Sequence, residues 1–272
     1  GARWSYRRDF GRNRLLVIDS RCGRILSGRR SMLSEPEFGW IEQQVEGDYD
    51  HLLVGTSLPW LLPRALHDLE SWNEVICAGT RGRRLARLGE KMRRAADLEH
   101  WAAFRESFDR LAGILGGVGR GAAGRVAPAT ICVLSGDVHH AYAARASFPE
   151  PTSSMVYQLT CSPFHNFVPK PMHWAFRLAW SRVAERTVRW LLSVFSKVPP
   201  LTLSWKRLSG PFFGNEIATV TLDGRSARLL IEKAGAGSSG EPLLTPVAAI
   251  PLSSPSRHTH SASAPASPAA AS

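Results

Sequence analysis

The sequence predicts an α/β fold with a largely internal mixed sheet, flanking helices and a disordered C-terminal tail. Three observations predict it. Short, near-continuous apolar runs recur between helical stretches, the pattern of strands covered on both faces. One stretch carries an apolar stripe at helical spacing. Residues 235–272 are rich in Ser, Pro, Ala and Gly and hold no aromatic residue, a composition that buries too little apolar surface to offset ordering entropy.

The first run, Asn13 to Asp19, ends at a carboxylate and the turn-forming residues Ser20 to Gly23, and reads as a buried strand. Ser34, Glu35, Pro36 and Glu37 open a helix: a capping hydroxyl, an early proline and first-turn acids. It carries Phe38, Trp40, Ile41 and Val45 and is expected to end at Gly47. A second buried strand, His51 to Gly55, leads into the loop Thr56 to Pro59. The longest predicted helix spans 97–115, with Trp101, Phe104, Phe108, Leu111 and Leu115 in one stripe and the pair Gly116, Gly117 as its stop. A third buried strand, Thr130 to Ser135, runs directly into Gly136, Asp137, Val138, His139 and His140. Ala141–Ser147 and Met155–Thr160 read as further strands, and Asp223, Gly224 join a closing hairpin. The basic, aromatic segment 171–198 fits a helix packed on the sheet with an Arg-lined outer face, or an interfacial membrane helix.

The 272 residues suffice for one large domain or two small ones without disulfide staples. A hydrophobic content of 44% with 21% charged residues excludes collagen, coiled coil and wholesale disorder. Four cysteines are spread singly, with no CxxC, which excludes a zinc knuckle or dithiol redox motif. The net charge is +11, and 29 of the 34 basic residues are Arg. That surplus suits phosphate partners; a coding bias toward Arg and Ala explains it equally. No apolar window reaches the roughly 18 residues of a membrane span. No signal peptide is visible, which favours a cytoplasmic chain.

Chemistry concentrates after the third strand. Sites in open α/β sheets form at strand carboxyl ends. Alternate residues of an extended segment share a side, so Asp137 and His139 are placed to act together as metal ligands, with His140 on the other side. A turn with a capping Asp and surface histidines is the competing reading. No convincing Ser-His-Asp or Cys-His set accompanies them.

The stretch Leu134 to His139 resembles the last metal motif of the PhoD-like alkaline phosphatases, in the calcineurin-like metallophosphoesterase superfamily. Residues Leu16 to Arg24 are similar to that family's strand with an Asp-x-Arg turn. Glu99 to Phe104 resembles its Asp-x-Trp-x-x-Tyr helix start, Leu159 to Pro163 its Ser-Pro segment, and Gly210 to Asn215 with the hairpin its final sheet. The resemblance covers residues 1–234 and implies part of a metallophosphoesterase sandwich, with 235–272 as a disordered tail. It implies phosphoester hydrolysis, of a mono- or diester, by a metal-bound hydroxide. Two metal ions are expected in the complete enzyme: calcium and iron by resemblance, with manganese or zinc also suited to carboxylate and imidazole. Asp137 and His139 are the implied metal ligands, His139 and His140 the implied catalytic residues, and Ser57, His140 and Ser162 the implied substrate contacts. The family's early Asp- and Asn-rich ligand motifs are not found here, so the chain is expected to hold only part of the site.

Other residues are read as structural. Asp19 fits a structural turn, and Glu70 and Glu74, at i, i+4, fit a solvated helix face. A function of another class also remains: a non-catalytic phosphate- or nucleic-acid-binding protein using Arg81, Arg83, Arg84, Arg87, Arg93 and Arg94. No specific nucleic-acid motif supports it, and Arg83, Arg87 and Arg94 also fit one solvated helix face. His258 and His260 are read as incidental.

Overall fold

The computed structural model describes residues 3–26, 28, 30–77, 82–95, 98–121, 126–162, 170–195 and 201–253. Arg81, Pro163, His258 and His260 lie outside them, as does the tail from 254 onward.

The predicted strands form. They are β2 (Asn13–Val17), β3 (His51–Gly55), β4 (Thr130–Ser135), β5 (Ala141–Ser147) and β6 (Met155–Thr160), preceded by an edge strand β1 (Tyr6–Phe10). With β7 (Ser204–Phe212) they build a seven-stranded mixed sheet in the order β1-β2-β3-β4-β6-β5-β7. Neighbours are parallel from β2 through β3 and β4 to β6, and antiparallel at both edges. A second, antiparallel sheet holds β8 (Glu216–Asp223), β9 (Ser226–Ala236) and β10 (Pro242–Pro251) in the order β10-β9-β8. The fold class is therefore α/β, with two packed sheets.

Side-chain alternation assigns the two faces of the large sheet. Leu16, Leu52, Val54, Ile131, Val133 and Val156 pack under helices. Cys132, Ala141, Ala143, Tyr157 and Leu159 pack against Ala227, Leu229, Ile231 and Leu252 of the small sheet. Both faces of the central strands are covered, so their runs are continuously apolar.

β10 corrects the expected boundary at residue 234. Its outward face is Pro- and Ala-rich, so the segment looks like a linker in one dimension. In the fold it pairs with β9 from Pro242 to Pro251, Leu252 is buried, and the Leu252 carbonyl accepts a hydrogen bond from Tyr157 Oη at 2.8 Å. The strands β1 and β7 were not legible either. Both are sheet edges, where charge and proline are tolerated: β1 carries Arg7, Arg8 and Asp9, and β7 carries Lys206, Arg207 and Pro211.

The helices are α1 (Glu35–Gln44), α2 (Arg64–Cys77), α3 (Arg83–Ala95), α4 (Arg105–Arg120), α5 (Lys170–Ala179) and α6 (Arg182–Phe195), with a 3₁₀ turn at Trp101–Ala103 before α4. Trp101, Phe104, Phe108, Leu111 and Leu115 are all buried, as their stripe predicts. The helical segment differs in detail. It breaks at Phe104, whose backbone leaves helical geometry (φ −136°, ψ 69°), and α4 continues through Gly116 and Gly117 to Arg120. Gly116 is a packing residue: a Cβ there would stand 3.1 Å from the Phe148 ring.

α2 holds the largest correction. Glu70 is wholly buried and hydrogen-bonded to His100 Nδ1 at 2.7 Å. Glu74 accepts the Arg105 backbone N–H at 3.0 Å. Both lie under neighbouring elements instead of on a solvated face, because α2 packs against α3, α6 and the 3₁₀ turn. The described part of the segment 171–198 forms two helices, α5 and α6, joined at Ser181, whose Oγ accepts the Ala184 N–H at 3.1 Å. α6 packs on α2. No helix among the described residues is long and apolar enough to cross a membrane.

Candidate functional site

Three adjacent parallel strands, β2, β3 and β4, deliver their carboxyl ends to one cleft of about 470 Å³. Asp19, Ser20 and Arg21 come from β2, Thr56 and Ser57 from β3, and Ser135 and Gly136 from β4. The arrangement is the usual consequence of parallel strands ending together.

Hydroxyls line the floor. Ser20 Oγ lies 2.7 Å from Ser57 Oγ and accepts from Thr56 Oγ1 at 2.9 Å and from the Ser57 N–H at 3.1 Å. Trp101 Nε1 donates to Thr56 Oγ1 at 3.2 Å, which ties this floor to the core. Ser135 Oγ accepts from Gln158 Nε2 at 2.8 Å and lies 3.0 Å from Thr160 Oγ1. Asp19 turns its carboxylate back on its own loop, accepting the N–H groups of Arg21 (3.1 Å) and Cys22 (2.8 Å). That is an Asx-type turn, the structural role expected for it. The turn presents Arg21, which forms an ion pair with Asp137.

The turn after β4 is unusual. Asp137 (φ 62°) and His139 (φ 57°) are the non-glycine residues with left-handed backbone among those described. Each such residue costs of the order of 1 kcal/mol or more. Both side chains are exposed, while Val138 and His140 between and after them are buried. The expected separation of His139 from His140 is realised.

His140 does not line the cleft. It is buried against Tyr142, Phe176 and Phe213, with ring centroids 5.2, 4.8 and 6.0 Å away. Nδ1 donates to the Val138 carbonyl at 2.7 Å, and buried Nε2 has no hydrogen-bond partner among the described residues. Burial pulls its pKa down to about 4. The expected substrate contact at His140 is thus corrected to a neutral, packed imidazole. Its neighbour His139 is exposed, while the His140 ring enters the aromatic cluster behind the turn.

Ser57 lies in the cleft. Ser162 lies beside it: a Cβ on Gly136 would stand 3.8 Å from Ser162 Cβ. Asp137, His139, Ser57 and Ser162 are therefore gathered at one end of the sheet. Sequence reasoning read Arg21 as part of the Asp-x-Arg turn and gave it no place in the site; its partner Asp137 is reached only through the tertiary fold.

Asp137 and His139 are two donors of the types that hold a hard or borderline metal. Among the described residues no group of three or more His, Cys, Asp or Glu is placed to hold a metal ion. A bridged metal pair needs more donors than these two, so the described residues do not by themselves fit it.

The expected arginine cluster is partly neutralised. Arg93 pairs with Glu90 at 2.8 Å and Glu99 at 2.6 Å, and Arg94 pairs with Glu90 at 2.8 Å. Arg83, Arg84 and Arg87 are exposed along α3. At the same carboxyl end of β6, where Cys161 Sγ donates to the Glu216 carbonyl at 3.4 Å, burial raises Glu216 to about 7, and both its carboxylate oxygens are without hydrogen-bond partners among the described residues.

No family model matches the chain, and no curated protein matches it.

Proposed function

We propose that the chain contributes to a metal-dependent phosphoester hydrolase of the PhoD-like kind, acting on a mono- or diester. The observation that carries the reading is the pair of left-handed residues, Asp137 and His139, at the carboxyl end of a central parallel strand. Left-handed non-glycine backbone clusters at ligand sites, and the carboxyl ends of parallel strands are where such sites form. The resemblance of Leu134 to His139 to the family's last metal motif supports it.

In this reading Asp137 and His139 supply two ligands, and the remaining donors come from a segment outside the described residues. Arg21 holds phosphate oxygens through its guanidinium fork. Ser57 and Ser162 donate hydroxyl hydrogen bonds to the same group, and Ser20 and Thr56 orient Ser57. His140 supports the turn from beneath through its bond to Val138.

The test uses the longest natural form of the chain. Elemental analysis after dialysis and hydrolysis of bis-p-nitrophenyl phosphate are measured for wild type, Asp137→Asn and His139→Ala. Both variants should lose metal and most turnover while keeping the wild-type melting temperature. Full metal content and full turnover in both would sink the reading. Phosphate binding without turnover in wild type would favour a non-catalytic phosphate-binding protein.

A further inference from the structure

A second cavity, of about 540 Å³, opens where α2, α6 and β7 meet and shares no lining residue with the first cleft. Arg64, Trp180, Arg182, Glu185, Trp205 and Arg207 line it. Its charge is lopsided: among the lining residues Glu185 is the one carboxylate against these three arginines and Lys206.

Arg64 is the central group. Its side chain is nine-tenths buried. Its guanidinium lies 4.3 Å from the Trp205 ring centroid. Glu185 stands 3.4 Å from Nε, but the geometry is not that of a hydrogen bond, and this buried N–H has no acceptor among the described residues. A buried donor left without an acceptor is costly, more so when charged. Arg207 stacks on Trp180 at 5.6 Å, and partial burial of its otherwise exposed side chain lowers its pKa. The Trp180 indole N–H is also buried without a partner among the described residues. The two tryptophan faces are thus taken by arginines, so the cavity offers N–H donors rather than a stacking slot. Arg64 and Arg182 are the first residues of α2 and α6. The positive ends of two helix dipoles therefore add to the four cationic side chains.

We propose that this cavity is an oxyanion-binding site, separate from the first cleft, that takes a phosphate dianion, free or as the head of an organic phosphomonoester. Arg64, Arg182 and Arg207 converge on the anion, as planar guanidinium groups do on phosphate. Glu185 opposes binding and limits affinity. The proposal does not rest on the hydrolase reading.

Isothermal titration calorimetry of the 272-residue chain with orthophosphate, and separately with a hexose monophosphate, tests it against a chloride control of equal ionic strength. A saturable site is expected for at least one ligand. A preference for the hexose phosphate would identify an organic phosphomonoester as the occupant, and equal affinity would identify phosphate alone. Arg182→Gln combined with Arg207→Gln should weaken binding by about tenfold or more, because each substitution removes a charged donor to the anion. Glu185→Gln should tighten it. Arg21→Ala removes the phosphate contact proposed for the first cleft, and the site in this cavity should persist in that variant. No saturable heat with either ligand would overturn the proposal. So would wild-type affinity in the folded Arg182→Gln, Arg207→Gln protein, or loss of the site in Arg21→Ala.

Discussion

Arg21 and Asp137 form an ion pair across the mouth of the first cleft, joining the turn after β2 to the strained turn after β4. The pair brings together residues 116 positions apart in the chain. Both side chains are about half exposed. Solvent screening therefore leaves such a pair roughly 0–1 kcal/mol of stability. Arg21→Ala should shift the urea midpoint by an amount matching less than about 1 kcal/mol. A loss of several kcal/mol would show that the pair holds the two turns in place.

Trp101 is wholly buried, and its indole N–H reaches the Thr56 hydroxyl. Trp101→Ala should cost roughly 3–5 kcal/mol, a large part of a typical domain's stability of about 5–15 kcal/mol. Trp101→Phe keeps most of the packing and removes the bond, so about 1 kcal/mol is expected. Chemical denaturation of the two variants separates the terms. An unchanged midpoint in Trp101→Ala would contradict its place in the core.

Two buried groups should tilt stability with pH in opposite directions. His140 has its folded pKa lowered to about 4. The unfolded chain takes up a proton near 6.5 while the folded chain does not, so stability is present above 6.5 and falls as pH drops toward 4. The full effect is about 3 kcal/mol. His140→Phe should flatten that part of the profile. Glu216 is raised to about 7. The unfolded carboxyl ionises near 4.5 while the folded one stays protonated, so stability falls as pH rises from 4.5 to 7. Glu216→Gln should therefore gain on wild type as pH rises through that window. Denaturation midpoints measured from pH 4 to 8 would check both, and parallel profiles for wild type and either variant would refute that variant's assignment.

Leu252 lies beyond the residue where the ordered fold was expected to end, yet it is buried against the β5–β6 face. Leu252→Ala should cost about 2–5 kcal/mol. Deletion of 242–253 should cost more, because it strips β10 from β9 and leaves Tyr157 without its acceptor. A deletion variant that melts at the wild-type temperature would return this segment to the status of a tail.

The sequence by itself determined the elements whose burial is periodic and local. β2, β3, β4, β5 and β6 are legible because their side chains are covered on both faces, and the Trp101–Leu115 stripe because one helix face meets the sheet. The turn at Gly136 to His140 was legible as a place where chemistry gathers, since it leaves a buried strand directly. Tertiary structure alone decided the rest. Glu70 and Glu74 look like a solvated pair until α3, α6 and the 3₁₀ turn close over α2. β10 looks like a linker until β9 supplies its hydrogen bonds. The outward direction of His139 and inward direction of His140 were anticipated, but from an extended segment; the left-handed backbone at Asp137 and His139 that produces them was not. Composition records what a segment can bury by itself. It does not record which distant segment will cover it, and a polar residue becomes a buried partner only when that second surface arrives.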